Sequence, residues 1–319
     1  MAQAETEPVG KGWDKMYDLM IIGGGPAGMT AAVYAARKKL NTLLLSKDVG
    51  GQVNWTLGIE NYMGYQFIEG PELIHKFEEQ VKQFPLDVKI GEGVSSLSRI
   101  SGGFEARTDS GETYQAKAAI VATGKRPRQL NVPGEEELKG RGVTYCAICD
   151  GPLFAGMKVA VIGGGNSALE AADDMVKVAD HIYLVSVTPL TGDQVLIDKV
   201  KGADNLTIFL EHEVLEITGE KFVDGIRIRD LKTTQERELE VGGVFVEIGL
   251  LPNSGLAKGI VTLNRPGEIE VNCGSETGVP GLFAAGDVTN VLEKQIVIAA
   301  GEGAKAALQA HHYLQRLSE

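Results

Sequence analysis

The sequence predicts an α/β protein built from two Rossmann-like nucleotide-binding units, and three observations predict it. A short apolar run that ends in a glycine-rich turn and opens into a helix-forming stretch occurs twice, some 140 positions apart. Further apolar runs also end in glycine turns, as buried strands of a doubly wound sheet do. Finally, 319 residues exceed what one hydrophobic core usually serves, so two domains of roughly 100–200 residues each are expected.

The elements follow in chain order. The polar opening Met1-Ala2-Gln3-Ala4-Glu5-Thr6-Glu7 lacks the basic and apolar regions of a signal peptide, and the first dozen residues, rich in Glu, Pro and Gly, are read as mobile. Leu19-Met20-Ile21-Ile22 is a short strand leading into Gly23-Gly24-Gly25-Pro26-Ala27-Gly28 and a helix over 29–39. In such a turn the first glycine makes the bend, the second lets the backbone approach a pyrophosphate, and the third lets helix pack on strand. The helix N-terminus then holds the anion. A single copy of this pattern reads equally well as an ordinary glycine turn, but a second copy stands at Val159-Ala160-Val161-Ile162, Gly163-Gly164-Gly165-Asn166-Ser167-Ala168 and a helix over 169–178.

After the first copy, a strand over 41–45 should deliver an acidic residue to an adenosine ribose, yet it ends in Ser46-Lys47-Asp48. That anchor is displaced or missing. Ala119-Ile120-Val121-Ala122-Thr123-Gly124 and the run from Gly281 to Asp287 read as buried strands with glycine turns, and each alone is equally well a plain sheet strand. Strands over 206–210, 214–218, 225–229 and 244–248 read as a β-meander inside the second unit, and 295–317 as an amphipathic helix.

Composition narrows the function. The 43 acidic and 31 basic residues give a net charge of −12, which repels phosphate backbones and argues against nucleic acid as a partner. No apolar run approaches the roughly 20 residues needed to span a bilayer, so no membrane association is expected and the chain is placed in the cytoplasm. Three cysteines are too few for a disulfide scaffold.

Two of them, Cys146 and Cys149, enclose only two residues, a spacing that closes a small reducible ring. Near a helix N-terminus such a pair gains thiolate character. The competing reading is half of a zinc site, which needs two more ligands. Cys273 lies 124 positions beyond Cys149, and the nearest histidines in sequence are His75 and His181, so no metal is expected. Cys273 is read as a passive strand residue, and Asp150 as either an acid/base or a helix cap.

Together these pieces resemble the low-molecular-weight thioredoxin reductases and the closely related flavoprotein reductase of alkyl hydroperoxide peroxiredoxins, over about 18–314. The resemblance implies the class II pyridine nucleotide-disulfide oxidoreductase architecture, two three-layer ββα domains. The FAD-binding domain would be discontinuous (1–126 and 248–319), with the second nucleotide domain, 127–247, carrying the cysteines. FAD would be held at Gly23, Gly25, Pro26, Ala27 and Gly28 (pyrophosphate), at Gly51, Gln52 and Asn61 near the flavin, and at Ala122, Thr123 and Gly124 at the crossover. Gly286 and Asp287 would meet the ribityl chain, and Lys294, Gln295 and Ile296 the isoalloxazine. Gly163, Gly165, Asn166 and Ser167 would hold the second nucleotide.

By the same resemblance Cys149 faces the flavin and takes electrons, Cys146 is the interchange thiol that attacks a thioredoxin-type partner, and Asp150 manages the thiol proton. The resemblance also implies domain rotation during turnover and a homodimer. The peroxiredoxin-linked relative carries an N-terminal thioredoxin-fold module, for which some 17 residues before the first strand leave no room.

The electron donor is less determined. NADPH-using members place a His-Arg-Arg-type cluster after the strand equivalent to 181–185, and NADH-using relatives a carboxylate. Here the strand ends in Ser186-Val187-Thr188-Pro189-Leu190 with no basic residue before Lys199. NADPH, NADH and a reduced protein such as ferredoxin remain open, the intact turn at 163–168 favouring a nucleotide. Two further readings stand beside this one. A flavoprotein that reduces ferredoxin shares the fold but lacks the cysteine pair, and a flavin-binding regulatory protein would have no use for it.

Overall fold

The computed structural model describes residues 16–56 and 58–317; the opening dozen residues, read above as mobile, lie outside them. The chain enters on β1 (Tyr17–Ile22), where Leu19, Met20 and Ile21 have no exposed area. A strand covered on both faces must be apolar throughout, which is why no alternation marks it. It continues through α1 (Pro26–Arg37), β2 (Thr42–Ser46), α2 (Gly70–Lys82) and β3 (Asp87–Ile90), the three strands parallel in the order β3-β2-β1. β4 (Val94–Ile100) and β5 (Gly103–Thr108) form an antiparallel pair that joins β6 (Thr113–Val121), and β6 lies parallel on the other side of β1.

β7 (Lys125–Pro127) leaves this sheet and leads to a second unit. There β8 (Val143–Thr144), the single-turn helix α3 (Ala147–Asp150), β9 (Lys158–Ile162), α4 (Asn166–Val176), β10 (His181–Ser186), α5 (Gln194–Lys201) and β11 (Leu206–Leu210) follow. β12 (His212–Thr218), β13 (Gly225–Asp230) and β14 (Glu236–Glu240) form a separate antiparallel sheet, and β15 (Gly243–Val246) returns to the parallel one, whose order is β11-β10-β9-β15-β8. β16 (Leu250–Pro252) then pairs antiparallel with β7, so the chain leaves and re-enters the first unit through one two-stranded ribbon. The short β17 (Leu282–Ala284) pairs parallel with the C-terminal half of β6, and α6 (Ile296–Leu317) closes the chain.

Each parallel sheet is the middle of three layers. In the first unit α1 and α6 cover one face and the β4-β5 pair with the 256–279 segment the other. In the second, α4 and α5 cover one face and the β12-β13-β14 sheet the other. The meander expected over 206–248 is therefore corrected: 206–210 and 244–246 are parallel-sheet strands, and the third antiparallel strand is the charged β14, whose alternation of Glu and Arg hid it. The expected helices begin three residues early, at Pro26 and Asn166, because the backbone turns helical directly after the extended Gly25 and Gly165. Cys273 lies in an exposed turn rather than a strand. Among the described residues no helix is long and apolar enough to cross a membrane.

α6 approaches α1 so closely that a Cβ built on Gly303 would lie 2.0 Å from the Ala27 carbonyl oxygen. Gly303→Val should therefore lower the unfolding free energy by about 3 kcal/mol, since backbone cannot yield as a side chain does. Gly301→Ala, in the same helix, meets nothing within 4 Å and should be neutral or stabilising by about 0.5–1 kcal/mol. Urea denaturation midpoints of the two variants check this, and equal midpoints would contradict the packing described.

Candidate active site

The first glycine turn is shaped for a ligand as well as for the fold. Gly23 has φ +120°, and a Cβ there would sit 2.2 Å from the Ala122 carbonyl oxygen; one on Gly28 would sit 1.8 Å from that of Gly23. These two glycines serve internal packing. A Cβ on Gly25 would meet nothing within 4 Å, so its lack of a side chain leaves open space before α1, whose first-turn amides have no side-chain cap. Open space before uncapped amides fits a dinucleotide pyrophosphate. Beside it lies an apolar cavity of about 80 Å³ lined in part by Gly24, Met29, Leu44, Val49 and Ile90. The missing ribose anchor is explained here: the Ser46 hydroxyl accepts from Gly24 N–H at 2.7 Å and donates to the Asp48 carbonyl at 2.6 Å. A hydroxyl spent on the turn stands where a carboxylate was expected.

The other candidate residues of the first unit gather around this turn. Gly50 N–H donates to the Gly24 carbonyl at 2.8 Å, which sets Gly51 and Gln52 beside it, and Gln52 Nε2 donates to the Lys125 carbonyl at 3.0 Å. Asn61 Nδ2 donates to Gln295 Oε1 at 3.2 Å, next to Ile296 at the start of α6. Gly286 follows β17 with φ +75°, against the Ala27 methyl. Burial pushes the Asp287 carboxyl upward, with Lys294 and Lys125 opposing. Both lysines are paired with Glu268, at 3.1 and 2.5 Å. Burial alone would raise Glu268, but hydrogen bonds from Lys125, Asn264 and Lys294 hold it below the usual carboxylate range. At the crossover, Thr123 Oγ1 donates to the Asn253 carbonyl at 2.8 Å, and Asn253 Nδ2 returns a bond to the Thr123 carbonyl at 2.9 Å. Asn253 N–H also donates to the Gly124 carbonyl at 3.0 Å. Asn253 and Glu268 carry no motif and escaped the sequence reading.

Cys146 and Cys149 are joined by a disulfide. Cys146 caps α3: its Sγ accepts from Cys149 N–H at 3.2 Å, and its own N–H donates to Thr144 Oγ1 at 3.3 Å. Thr144 in turn donates to Asp150 Oδ2, while Oδ1 has no hydrogen-bond partner. Asp150 is only 4% exposed. Burial raises its pKa to about 6, against the Thr144 bond that lowers it. An unpaired buried carboxyl oxygen on the disulfide helix suits proton transfer better than structural capping. The segment bearing the disulfide is docked on the first unit: Lys139 Nζ lies 3.6 Å from the Trp55 ring centroid, and a Cβ on Gly140 would be 3.2 Å from the Trp55 carbonyl oxygen.

The second turn repeats the first. Gly163 has φ +144° and abuts the Glu247 carbonyl oxygen, whereas Gly165 faces open space and α4 lacks a side-chain cap. Asn166 and Ser167 are exposed in its first turn. Ser186 is buried and its hydroxyl accepts from Thr188 N–H at 3.3 Å. The following loop folds back over the turn: Thr191 N–H donates to the Gly164 carbonyl at 2.7 Å, and Asp193 exchanges bonds of 2.7 and 3.2 Å with the Asn166 amide. Asp193 is a carboxylate beside this turn that the sequence does not reveal, because it lies beyond the strand end and only the loop's fold brings it back. Glu247 lies in the expected strand 244–248, one residue past β15, and carries no motif.

Asp150 makes a stability prediction. Its folded pKa of about 6 exceeds an unfolded value of about 4, so the folded state binds more protons between those values and stability falls as pH rises through that window. Asp150→Asn should flatten the thermal midpoint between about pH 4 and pH 6. An unchanged slope would place the carboxyl in solvent.

The family described as pyridine nucleotide-disulphide oxidoreductase matches residues 17–303. The chain is 47% identical over 307 residues to an alkyl hydroperoxide reductase protein from Pseudomonas putida, covering 95% of this chain and 59% of that protein. It is 44% identical over 301 residues to a Bacillus subtilis protein described as NADH dehydrogenase, covering 94% and 59%. The chain thus spans about three fifths of the length of these curated relatives. A thioredoxin reductase structure from Streptococcus pyogenes superposes with a TM-score of 0.89 at 38% identity, covering 94% of this chain and 99% of that one. Fold, glycine turns and paired cysteines agree with these likenesses, and the chain belongs to the pyridine nucleotide-disulphide oxidoreductase family.

Proposed function

We propose that this chain is an FAD-dependent protein-disulfide reductase of the thioredoxin-reductase type, acting on a thioredoxin-like partner. The observation that carries the reading is the Cys146–Cys149 bond on a helix that also bears the buried, half-paired carboxyl of Asp150. FAD, which Gly25, Pro26, Asp287 and the residues around Gln52 and Gln295 would hold, supplies when bound the electron pair that opens this bond.

The chain's own residues do the rest. Opening the bond fully takes up two protons: one stays on the Cys149 sulfur, and the other is carried by Asp150, whose pKa, pushed up to about 6, lets it take and release a proton near neutrality. Cys146 stands at the N-cap of α3, where peptide amides favour its thiolate. That thiolate attacks one sulfur of the partner's disulfide, and the departing partner sulfur takes a proton from Asp150. Cys149 then gives its proton to the Asp150 carboxylate and attacks Cys146 within the mixed disulfide, which restores the Cys146–Cys149 bond and releases the partner's second sulfur to take that proton. Asp150→Asn should accordingly lower partner reduction as well as flattening the pH dependence of stability.

For the donor, we infer NADH rather than NADPH at the Gly163 turn. Asp193 places a carboxylate beside Asn166, which would repel a 2′-phosphate and can accept from ribose hydroxyls. Lys199, the next cation, is engaged by Asp173. The Bacillus subtilis relative described as NADH dehydrogenase supports this reading. The Pseudomonas putida relative favours a second reading of the acceptor, a peroxiredoxin-linked disulfide protein.

An anaerobic titration tests donor and thiols together. NADH should bleach the flavin at concentrations well below those of NADPH, and reduced ferredoxin should be ineffective; the reverse order would refute the donor assignment. Cys146→Ser should keep flavin bleaching and lose partner reduction, so a variant with full turnover would remove Cys146 from the interchange role.

The docking of Trp55 against Lys139 keeps the disulfide segment on the first unit, beside which a bulky partner would have to fit. The units must therefore turn about the β7-β16 ribbon during turnover. A cysteine pair at Trp55→Cys and Gly140→Cys, once oxidised, should suppress partner reduction and release it on reduction. Undiminished turnover of the crosslinked form would show that no rotation is needed.

A further inference from the structure

A buried charge cluster that the steps above leave unused lies where the hinge ribbon meets the cofactor residues. Lys125, the first residue of β7, follows Gly124, and its carbonyl accepts from Gln52 Nε2 at 3.0 Å. Its ammonium donates to Glu268 Oε1 at 2.5 Å, and its side chain is only 8% exposed. The Lys294 ammonium stands 3.1 Å from the same oxygen. Glu268 is fixed from its other side as well: Asn264 Nδ2 donates to Oε2 at 2.6 Å, and Asn264 Oδ1 accepts from the Glu268 N–H at 2.8 Å. Two cations thus share one carboxylate oxygen whose partner oxygen is already occupied.

The two lysines differ in what they have left to give. An ammonium carries three donors. Around Lys294 three oxygens can take them: the Thr289 carbonyl at 2.7 Å, the Val291 carbonyl and Glu268 Oε1. Thr289 in turn donates to the Gly286 carbonyl at 2.8 Å, so Lys294 closes the loop that leads from Asp287 to α6. Lys125 has one side-chain partner among the described residues, Glu268, which leaves two donors on a buried cation. Buried donors are seldom left unmatched, and this one adjoins Gln52 and Gly124, both read above as FAD-binding.

We propose that Lys125 is the cation that sets the reduction potential of the bound flavin, with Glu268 as the positioning residue that holds Lys125 and Lys294 in one cluster. The proposal rests on the reading of this site as the FAD site. Near neutrality the flavin takes up two electrons and one proton on reduction, so the ring gains one negative charge. A cation in a buried site stabilises that product relative to the oxidised ring, and an anion opposes it. Burial would raise Glu268, but hydrogen bonds from Lys125, Asn264 and Lys294 keep it ionised. Lys125 and Glu268 therefore act with opposite signs from one ion pair, and neutralising either changes the cluster by one unit charge in opposite directions.

The experiment uses the full chain loaded with FAD and reduced stepwise without oxygen, near neutral pH, in equilibrium with a reference dye of known potential. Flavin absorbance reports the flavin whatever the state of the disulfide. Lys125→Met should shift the flavin equilibrium about tenfold toward the oxidised form, about 30 mV for a two-electron couple. Glu268→Gln should shift it about tenfold toward the reduced form, and Lys125→Arg, which keeps the charge, should stay at the parental potential. Loosened packing would move both uncharged variants the same way, whereas a charge effect moves them apart.

Shifts of one sign in both uncharged variants, parental potentials in both, or an arginine variant that behaves like the methionine one would overturn the proposal. Should Lys125→Met fail to retain FAD, the direction of the Glu268→Gln shift decides. A parent chain that takes up no FAD would sink the reading of the site and this inference with it, while a flavin-loaded parent with unshifted variants sinks this inference alone.

Discussion

The pairing of one edge of β6 with two successive partners, while its other edge lies on β1, is the constraint on which the architecture rests. Its N-terminal half is held antiparallel by β5 and its C-terminal half parallel by β17, in register Leu282 with Ala119 through Ala284 with Val121. A whole second unit is inserted between β6 and β17, so the first sheet cannot be completed until the chain has returned. The return is guided by β7 and β16, whose ribbon the mutual bonds of Thr123 and Asn253 fasten. Because Gly286 and Asp287 follow β17 after Ala285, closing the sheet also brings these two candidate residues to the first glycine turn.

The second unit shows how a small helix can be made reactive. α3 is a single turn between a strand end and a 3-10 turn, and on its own it has no reason to persist. A side chain from outside it holds it in place: Thr144, at the Cys146 amide and at Asp150. Burial raises the Asp150 carboxyl, against the Thr144 bond that lowers it. Asp150 thus keeps a proton-exchanging carboxyl beside the sulfur pair, with a pKa of about 6 that lets it both give up and regain a proton near neutrality.

Much of the site could be read from short motifs. Gly23, Gly28 and Gly163 had to be glycine because backbone carbonyls occupy the positions of their absent side chains. Cys146 and Cys149 lie within one turn of each other, so their spacing alone brings them together. Errors arose where a local pattern has two tertiary outcomes. Strands 206–210 and 244–246 look like meander strands in isolation, yet both are drawn into the parallel sheet. The charged β14 gave no apolar signal, since one face of its three-stranded sheet is open to water.

The amino-acid order settled the repeated strand-turn-helix units, the glycine positions and the cysteine pair, because steric exclusion, burial and three-residue spacing all act over short stretches of chain. The folded form alone could assign Ser46 to the first turn, Asp193 to Asn166 and Asn253 to Thr123. Each of these contacts joins residues whose separation in sequence carries no periodic or motif signal. Their electrostatic consequences arise from desolvation, which is a property of the assembled layers and not of any segment.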